Sequence, residues 1–261
     1  GIRQVPMRLP FRFGAVTLTA AAQIHLFADV ETRNGHRAQG VAADMLAPKW
    51  FDKDPSKTYA DNMNDLIDSA QAACSAVAAV DGPASAFDLW KLGYDAALAW
   101  GESRGLNELT SAYGSTLLER AIIDGLGRAA GLSYFDMLRE NHLGIDLGSL
   151  HDQLTGMSPA DLLPATPRTT MQVRHTVGLL DPLREEAIAA SARINDGLPQ
   201  GLDQYIAQQG LTYFKVKVGG DVDVDVERLS QIAEVISGID NVKVTLDGNE
   251  QYSDPDLLVN L

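Results

Sequence analysis

Tyr213-Phe214-Lys215-Val216-Lys217-Val218-Gly219-Gly220 is answered about thirty residues later by Val244-Thr245-Leu246-Asp247-Gly248-Asn249. Each piece reads as a buried strand with charged residues at its end. Successive side chains of a strand point to opposite faces, so residues two apart share a face. Phe214, Val216 and Val218 face one way, and Lys215 and Lys217 the other. By the same parity Val242, Val244 and Leu246 form an apolar face, opposite Lys243, Thr245, Asp247 and Asn249. Two ammonium groups and a carboxylate then converge at one end of a sheet. An isolated Lys-x-Lys is usually the solvated side of an edge strand, and a lone Asp-Gly-Asn is usually a turn. Both together, in register, point instead to a site, because unpaired buried charge costs on the order of several kcal/mol.

The segment between the two pieces makes them neighbours. Asp221 to Ser237 carries Val222, Val226, Leu229, Ile232, Ala233 and Ile236 on one helical stripe. Strand, helix and strand in about thirty residues form a βαβ unit with parallel, adjacent strands. In parallel α/β folds the working groups sit at the carboxyl ends of the strands. Lys215, Lys217, Asp247 and Asn249 all fall there.

Upstream, Val16 to Thr32 alternates loosely, Asn34-Gly35 is a two-residue hairpin signal, and His36 to Ala43 returns. This predicts an antiparallel sheet. Ala47 to Pro55 reads as a loop with exposed aromatic character at Trp50 and Phe51. Helices are expected over 58–80, 85–103 and 115–141. Proline, glycine and serine rise between Gly144 and Pro167, the expected domain linker. The resulting architecture is an α+β domain over 1–168 leading into an α/β domain over 169–261.

Composition narrows the function classes. The 35 acidic and 21 basic residues give a formal charge of −14, which argues against nucleic acid and anionic membrane surfaces as partners. No apolar run approaches the ~20 residues of a membrane span. The start carries no signal-peptide pattern. The single cysteine, Cys74, lies in an alanine-rich run and reads as a small core residue. A cytoplasmic location is the matching expectation.

Other motifs fail on inspection. Gly125-x-Gly127-x-x-x-Gly131 has the wrong spacing for a dinucleotide fingerprint and lies within a helix, where small residues permit close packing. Asp221-x-Asp223-x-Asp225 opens like a calcium loop, but the required glycine and glutamate are Val226 and Ile232. These acids instead favour a helix amino terminus. The five histidines show no metal-binding spacing; His175 lies on the expected first parallel strand, where an approach to the site is the minority reading.

At the Lys-x-Lys and Asp-x-Asn pieces the chain resembles the enolase superfamily, in particular the muconate-lactonizing subgroup of the mandelate racemase/muconate lactonizing enzyme family. Pro10-Phe11-Arg12-Phe13-Gly14 with Val16 to Thr19 is similar to that family's first strand and mobile specificity loop. Leu118 to Leu132 resembles the helix that ends its capping domain, and Thr169 to Gly178 its first barrel strand. The segment from Lys53 to about Leu109 departs in being longer and richer in alanine, suggesting extra helices. Asp196 to Gly201 enlarges the first barrel connection.

The resemblance implies an α+β capping domain followed by a (β/α)8-type TIM barrel, here truncated after the third barrel strand, since a complete barrel needs about 250 residues. It implies a magnesium-dependent lyase or isomerase that removes the proton alpha to a small substrate's carboxylate, giving an enediolate. It gives Asp247 to Mg2+, makes Lys217 the general base or acid, leaves Lys215 to the electrostatic field or the substrate carboxylate, and sets Asn249 to orient ligands. Two further carboxylate ligands and a second base would come from later strands. A lysine ordinarily titrates near ~10.4 and is a poor base, so a neighbouring cation and partial desolvation are required. Cycloisomerase, epimerase, racemase and dehydratase chemistries all remain, and a homo-oligomer is expected. Two alternatives stand beside this reading: a barrel aldolase forming a Schiff base through Lys215 or Lys217, and a non-catalytic binding module.

Overall fold

The computed structural model describes residues 1–14 and 16–259. Its elements run β1 (Ile2–Phe13), β2 (Val16–Glu31), β3 (Arg37–Leu46), α1 (Pro48–Phe51), α2 (Tyr59–Ala78), α3 (Ala86–Glu102), α4 (Glu108–Ala130), α5 (Tyr134–Arg139), α6 (Pro159–Leu162), β4 (Arg174–Val177), α7 (Leu202–Gln209), β5 (Tyr213–Lys217), α8 (Val222–Ile236), β6 (Lys243–Asp247) and α9 (Pro255–Val259). They form two sheets, β1-β2-β3 and β4-β5-β6. The chain divides into two compact units, Gly1–Val5 with Ala21–Pro167, and Pro6–Ala20 with Arg168–Leu261. The grouping of Pro6–Ala20 with the later residues has no local sequence signal.

In the first unit, β2 and β3 pair antiparallel across the Asn34-Gly35 turn, from Glu31 opposite Arg37 to Ala22 opposite Leu46. The helices start where their caps dictate. Thr58 and Asp61 form a reciprocal capping box on α2, Ser85 accepts from the Asp88 amide on α3, and Asn107 accepts from the Thr110 amide on α4. The third expected helix, 115–141, is corrected at both ends. Asn107 caps it earlier, and Gly131, at φ 68°, ends α4 in the left-handed conformation before the short α5.

The core joins Leu46, Leu66, Tyr113, Leu117 and Ala121. Phe51 also differs from expectation: it packs edge-on against Tyr113 at 5.1 Å, while Trp50 remains exposed. Small residues permit the closest approaches. A Cβ on Gly40 would stand 1.9 Å from the Ala121 carbonyl oxygen and 2.3 Å from the Gly125 nitrogen, both rigid backbone of α4. Gly40→Ala is therefore expected to lower stability by about 1–3 kcal/mol through overpacking, read as a fall in the urea midpoint.

In the second unit, β4, β5 and β6 are parallel, with Thr176, Lys215 and Thr245 side by side in the register. Phe214 and Val216 are fully buried against Val177, Leu202, Ile232 and Ile236. Each such burial is worth about 1.5–3 kcal/mol. The apolar face expected on β6 is only partly realised, because Val244 and Leu246 are each 42% exposed. Among the described residues β6 has a strand on one side alone.

The expected stripe of α8 is rotated. Leu229, Ile232 and Ile236 pack inward, but Val226 and Ala233 are exposed and Asp225 is buried instead. No helix among the described residues is long and apolar enough to cross a membrane.

Candidate active site

Lys217 and Asp247 are register partners at the last positions of β5 and β6. Parallel pairing places them side by side, and parity turns them away from the helix-covered face that holds Phe214 and Val216. Lys217 is 3% exposed. Its Nζ donates to Asp247 Oδ2 at 2.7 Å and to Asn249 Oδ1 at 2.9 Å. Lys215, on the same face, pairs with the same Asp247 Oδ2 and keeps more contact with solvent. The four residues singled out from sequence therefore meet in one cluster, at the carboxyl ends of two adjacent parallel strands.

The turn after β6 shapes that cluster. The Asn249 amide donates to Asp247 Oδ1 at 3.0 Å, closing an Asx turn with Asn249 at φ 50°. Asn tolerates that left-handed backbone better than most residues. The Asp-Gly-Asn stretch is thus both the turn that such sequences usually form and the mount that aims Asn249 at Lys217. Burial pushes the Asp247 carboxyl up, but hydrogen bonds from Lys215 and Lys217, with the Asn249 amide, outweigh it. The carboxyl is held well below the usual carboxylate range.

Asp247 and Asn249 supply hard oxygen donors, the chemistry that magnesium requires. Asp247 Oδ2 already accepts from two cationic amines, so this oxygen is arranged to face positive charge. In kind the residues fit a magnesium ion. In number they form part of a site, since among the described residues no group of three or more His, Cys, Asp or Glu side chains is placed to hold a metal.

His175 does not join the cluster. Its register partner is Phe214, which puts it on the helix-facing side, where its ring lies 4.7 Å from Tyr205. Burial lowers its pKa, against a weaker opposing pull from Asp181. His175, Tyr205, Arg8 and Phe11 line a cavity of about 280 Å³ beside β4 that none of the four cluster residues reaches. Asp196, in the enlarged connection after β4, closes a two-point pair with Arg8 at 2.7 Å. Arg12 and Gly14, at the end of β1, reach the cluster's end of the sheet: Arg12 O accepts from the Leu179 amide at 3.4 Å, and a Cβ on Gly14 would meet Gln251 at 3.2 Å.

Sequence reading missed Asp225 and Tyr252. Asp225 was grouped with the acids that favour a helix amino terminus, a role that Asp221 fills by accepting from the Val224 amide. Asp225 is 3% exposed and accepts from the Gly219 and Gly220 amides and the Tyr252 hydroxyl. Its position one turn into α8, behind a Gly-Gly loop, is the only local signal.

No protein-family model and no curated protein matches the chain. Solved structures do. An enolase from alpha pretobacterium bal199 with bound Mg is 17% identical at a TM-score of 0.56, over 99% of this chain and 56% of that one. A mandelate racemase/muconate lactonizing enzyme-like protein from Rubrobacter xylanophilus is 18% identical at 0.55, over 97% and 52%. The N-succinyl Arg/Lys racemase from Bacillus cereus is 15% identical at 0.53, over 98% and 52%. The likeness is one of fold. This chain has an α+β capping unit followed by the first strands of a β/α barrel, and it spans about half the length of the structures it matches.

Proposed function

We propose that this chain carries the first part of an active site for magnesium-dependent abstraction of the proton alpha to a substrate carboxylate, as in the mandelate racemase/muconate lactonizing group of the enolase superfamily. One observation supports it above the rest. A buried lysine, a second lysine, a carboxylate and an amide meet at the carboxyl ends of adjacent parallel strands, in a fold shared with a racemase and a magnesium-bound enolase. The substrate is a small carboxylate, and the working protein is a homo-oligomer.

Lys217 is the base. After giving up a proton of its own to solvent, its Nζ takes the α-proton, and the C–H electron pair passes into the carboxylate as an enediolate. Asn249 holds Lys217 Nζ in place, and the Lys215 ammonium attracts the substrate carboxylate. A magnesium ion held in part by Asp247 would supply the positive charge that stabilises the developing oxyanion. Near-complete burial of Lys217 keeps water from competing for the base.

Deuterium exchange tests the reading. Carboxylate substrates incubated with the full-length protein in D2O are expected to gain deuterium at the α-carbon only with magnesium present. A covalent adduct trapped by borohydride from a carbonyl substrate, with no exchange, would replace it with Schiff-base chemistry. Asp247→Asn is expected to weaken magnesium binding at least tenfold by titration calorimetry, and unchanged affinity would remove Asp247 from the ligand set.

A further inference from the structure

We infer that Asp225 and Tyr252 form a clamp that positions Lys217 and Asn249, locking together the two loops that follow β5 and β6. The inference rests on the reading above for its functional meaning, and on geometry alone for its existence. Asp225 Oδ1 accepts from the Gly219 amide at 2.8 Å, and Oδ2 accepts from the Gly220 amide at 2.9 Å and from the Tyr252 hydroxyl at 2.6 Å. One buried carboxylate on α8 therefore holds the chain two residues beyond Lys217 and three residues beyond Asn249.

The surrounding backbone is built for this contact. Gly220, at φ 94°, passes so close to the second loop that a Cβ would stand 2.7 Å from the Gln251 carbonyl oxygen. A Cβ on Gly248 would meet the Tyr252 ring at 2.8 Å and the Val218 side chain at 3.4 Å. The two loops thus pack as one layer, whose polar centre is the Asp225 carboxylate.

A buried carboxylate is tolerated only when its lone pairs are filled. Here the donors come from both loops: two amides from the first, and from the second the Tyr252 hydroxyl, which the second loop cannot shift without losing. Asn249 lies between the Asp247 turn and Tyr252. Freeing Tyr252 would loosen the Asn249 mount, and with it one of the two oxygens that hold Lys217 Nζ. The hydrogen bonds of Asp225 and Tyr252 run to the loops and to each other and not to the cluster; they are positioning residues.

Amide hydrogen exchange and NMR of the full-length protein test the clamp. In Tyr252→Phe, which removes one hydroxyl, the Asn249 amide is expected to exchange about tenfold faster or more. The Lys217 ammonium signal, slowed by its hydrogen bonds, is expected to broaden, while the Phe214 and Val216 amides within β5 keep their protection. Asp225→Asn, which turns a donor toward donors, should give the same pattern more strongly. Unchanged Asn249 exchange in both variants would overturn the clamp. Loss of protection at Phe214 and Val216 to the same extent would overturn it too, since the effect would then be general destabilisation. These readouts need no substrate, so the clamp can stand if no α-proton exchange is ever found. Conversely, α-proton exchange with normal kcat in Tyr252→Phe would leave the reaction intact and remove the clamp's role in it.

Discussion

Replacing Lys217 with alanine is expected to reduce α-proton exchange by the full-length protein by about 10²–10⁴-fold, the usual contribution of a positioned general base. The lysine sits 2.7 Å from Asp247 and 2.9 Å from Asn249, with only 3% of its side chain exposed. Among the described residues no other amine is similarly buried beside the cluster, since Lys215 keeps a quarter of its side chain in solvent. Alanine removes the amine without touching the Asp247 carboxylate, so magnesium affinity should stay within a few-fold of the parent. Lys215→Ala provides the contrast, because its loss should act mainly on KM through the substrate carboxylate. Retained exchange in Lys217→Ala, measured by NMR in D2O, would contradict the assignment of the base.

The second large effect concerns stability. Asp247→Ala takes from the Lys217 ammonium, 3% exposed in the parent, its carboxylate partner at 2.7 Å, while the Asn249 hydrogen bond stays. Breaking one side of a buried ion pair costs about 3–5 kcal/mol, so the urea midpoint should fall with little change in slope. In a Lys217→Met background the same substitution should cost far less, because the buried ion pair is already absent. A cost below about 1 kcal/mol in the parent would mean that the pair is not desolvated in solution.

The pH dependence carries a definite sign. The Asp247 carboxyl titrates well below its ordinary value in the folded protein. The stability it contributes is therefore present above the ordinary carboxylate range near ~3.9 and is lost as pH falls through the depressed folded value. Acid unfolding followed by circular dichroism should be less steep over that window in Asp247→Ala.

Much of the cluster was legible in local pattern. A period-two alternation assigns each residue of Tyr213 to Val218 to a face, and one intervening helix makes two strands parallel neighbours. From those two rules Lys215, Lys217, Asp247 and Asn249 share an edge without any knowledge of the rest of the chain. The same logic misplaced α8. Val226 and Ala233 suit a buried stripe on hydrophobicity, yet Asp225 takes the inward position because the Gly219 and Gly220 amides need an acceptor there. A helical wheel ranks side chains by transfer energy and cannot register a demand for hydrogen bonds set by another loop. His175 shows the same limit. Its strand was anticipated, but its face depended on the register against Phe214, and a shift of one residue reverses every side chain.

By itself, then, the order of residues determined the alternation, the caps and the βαβ connection, all of which are local consequences of backbone geometry and spacing. The tertiary structure alone decided which acid goes inside, that Pro6–Ala20 groups with the parallel sheet's unit, and that both lysines share one carboxylate oxygen. Each of these depends on donors and acceptors brought together from distant parts of the chain. Burial makes every such group answer to partners that lie far from it in sequence.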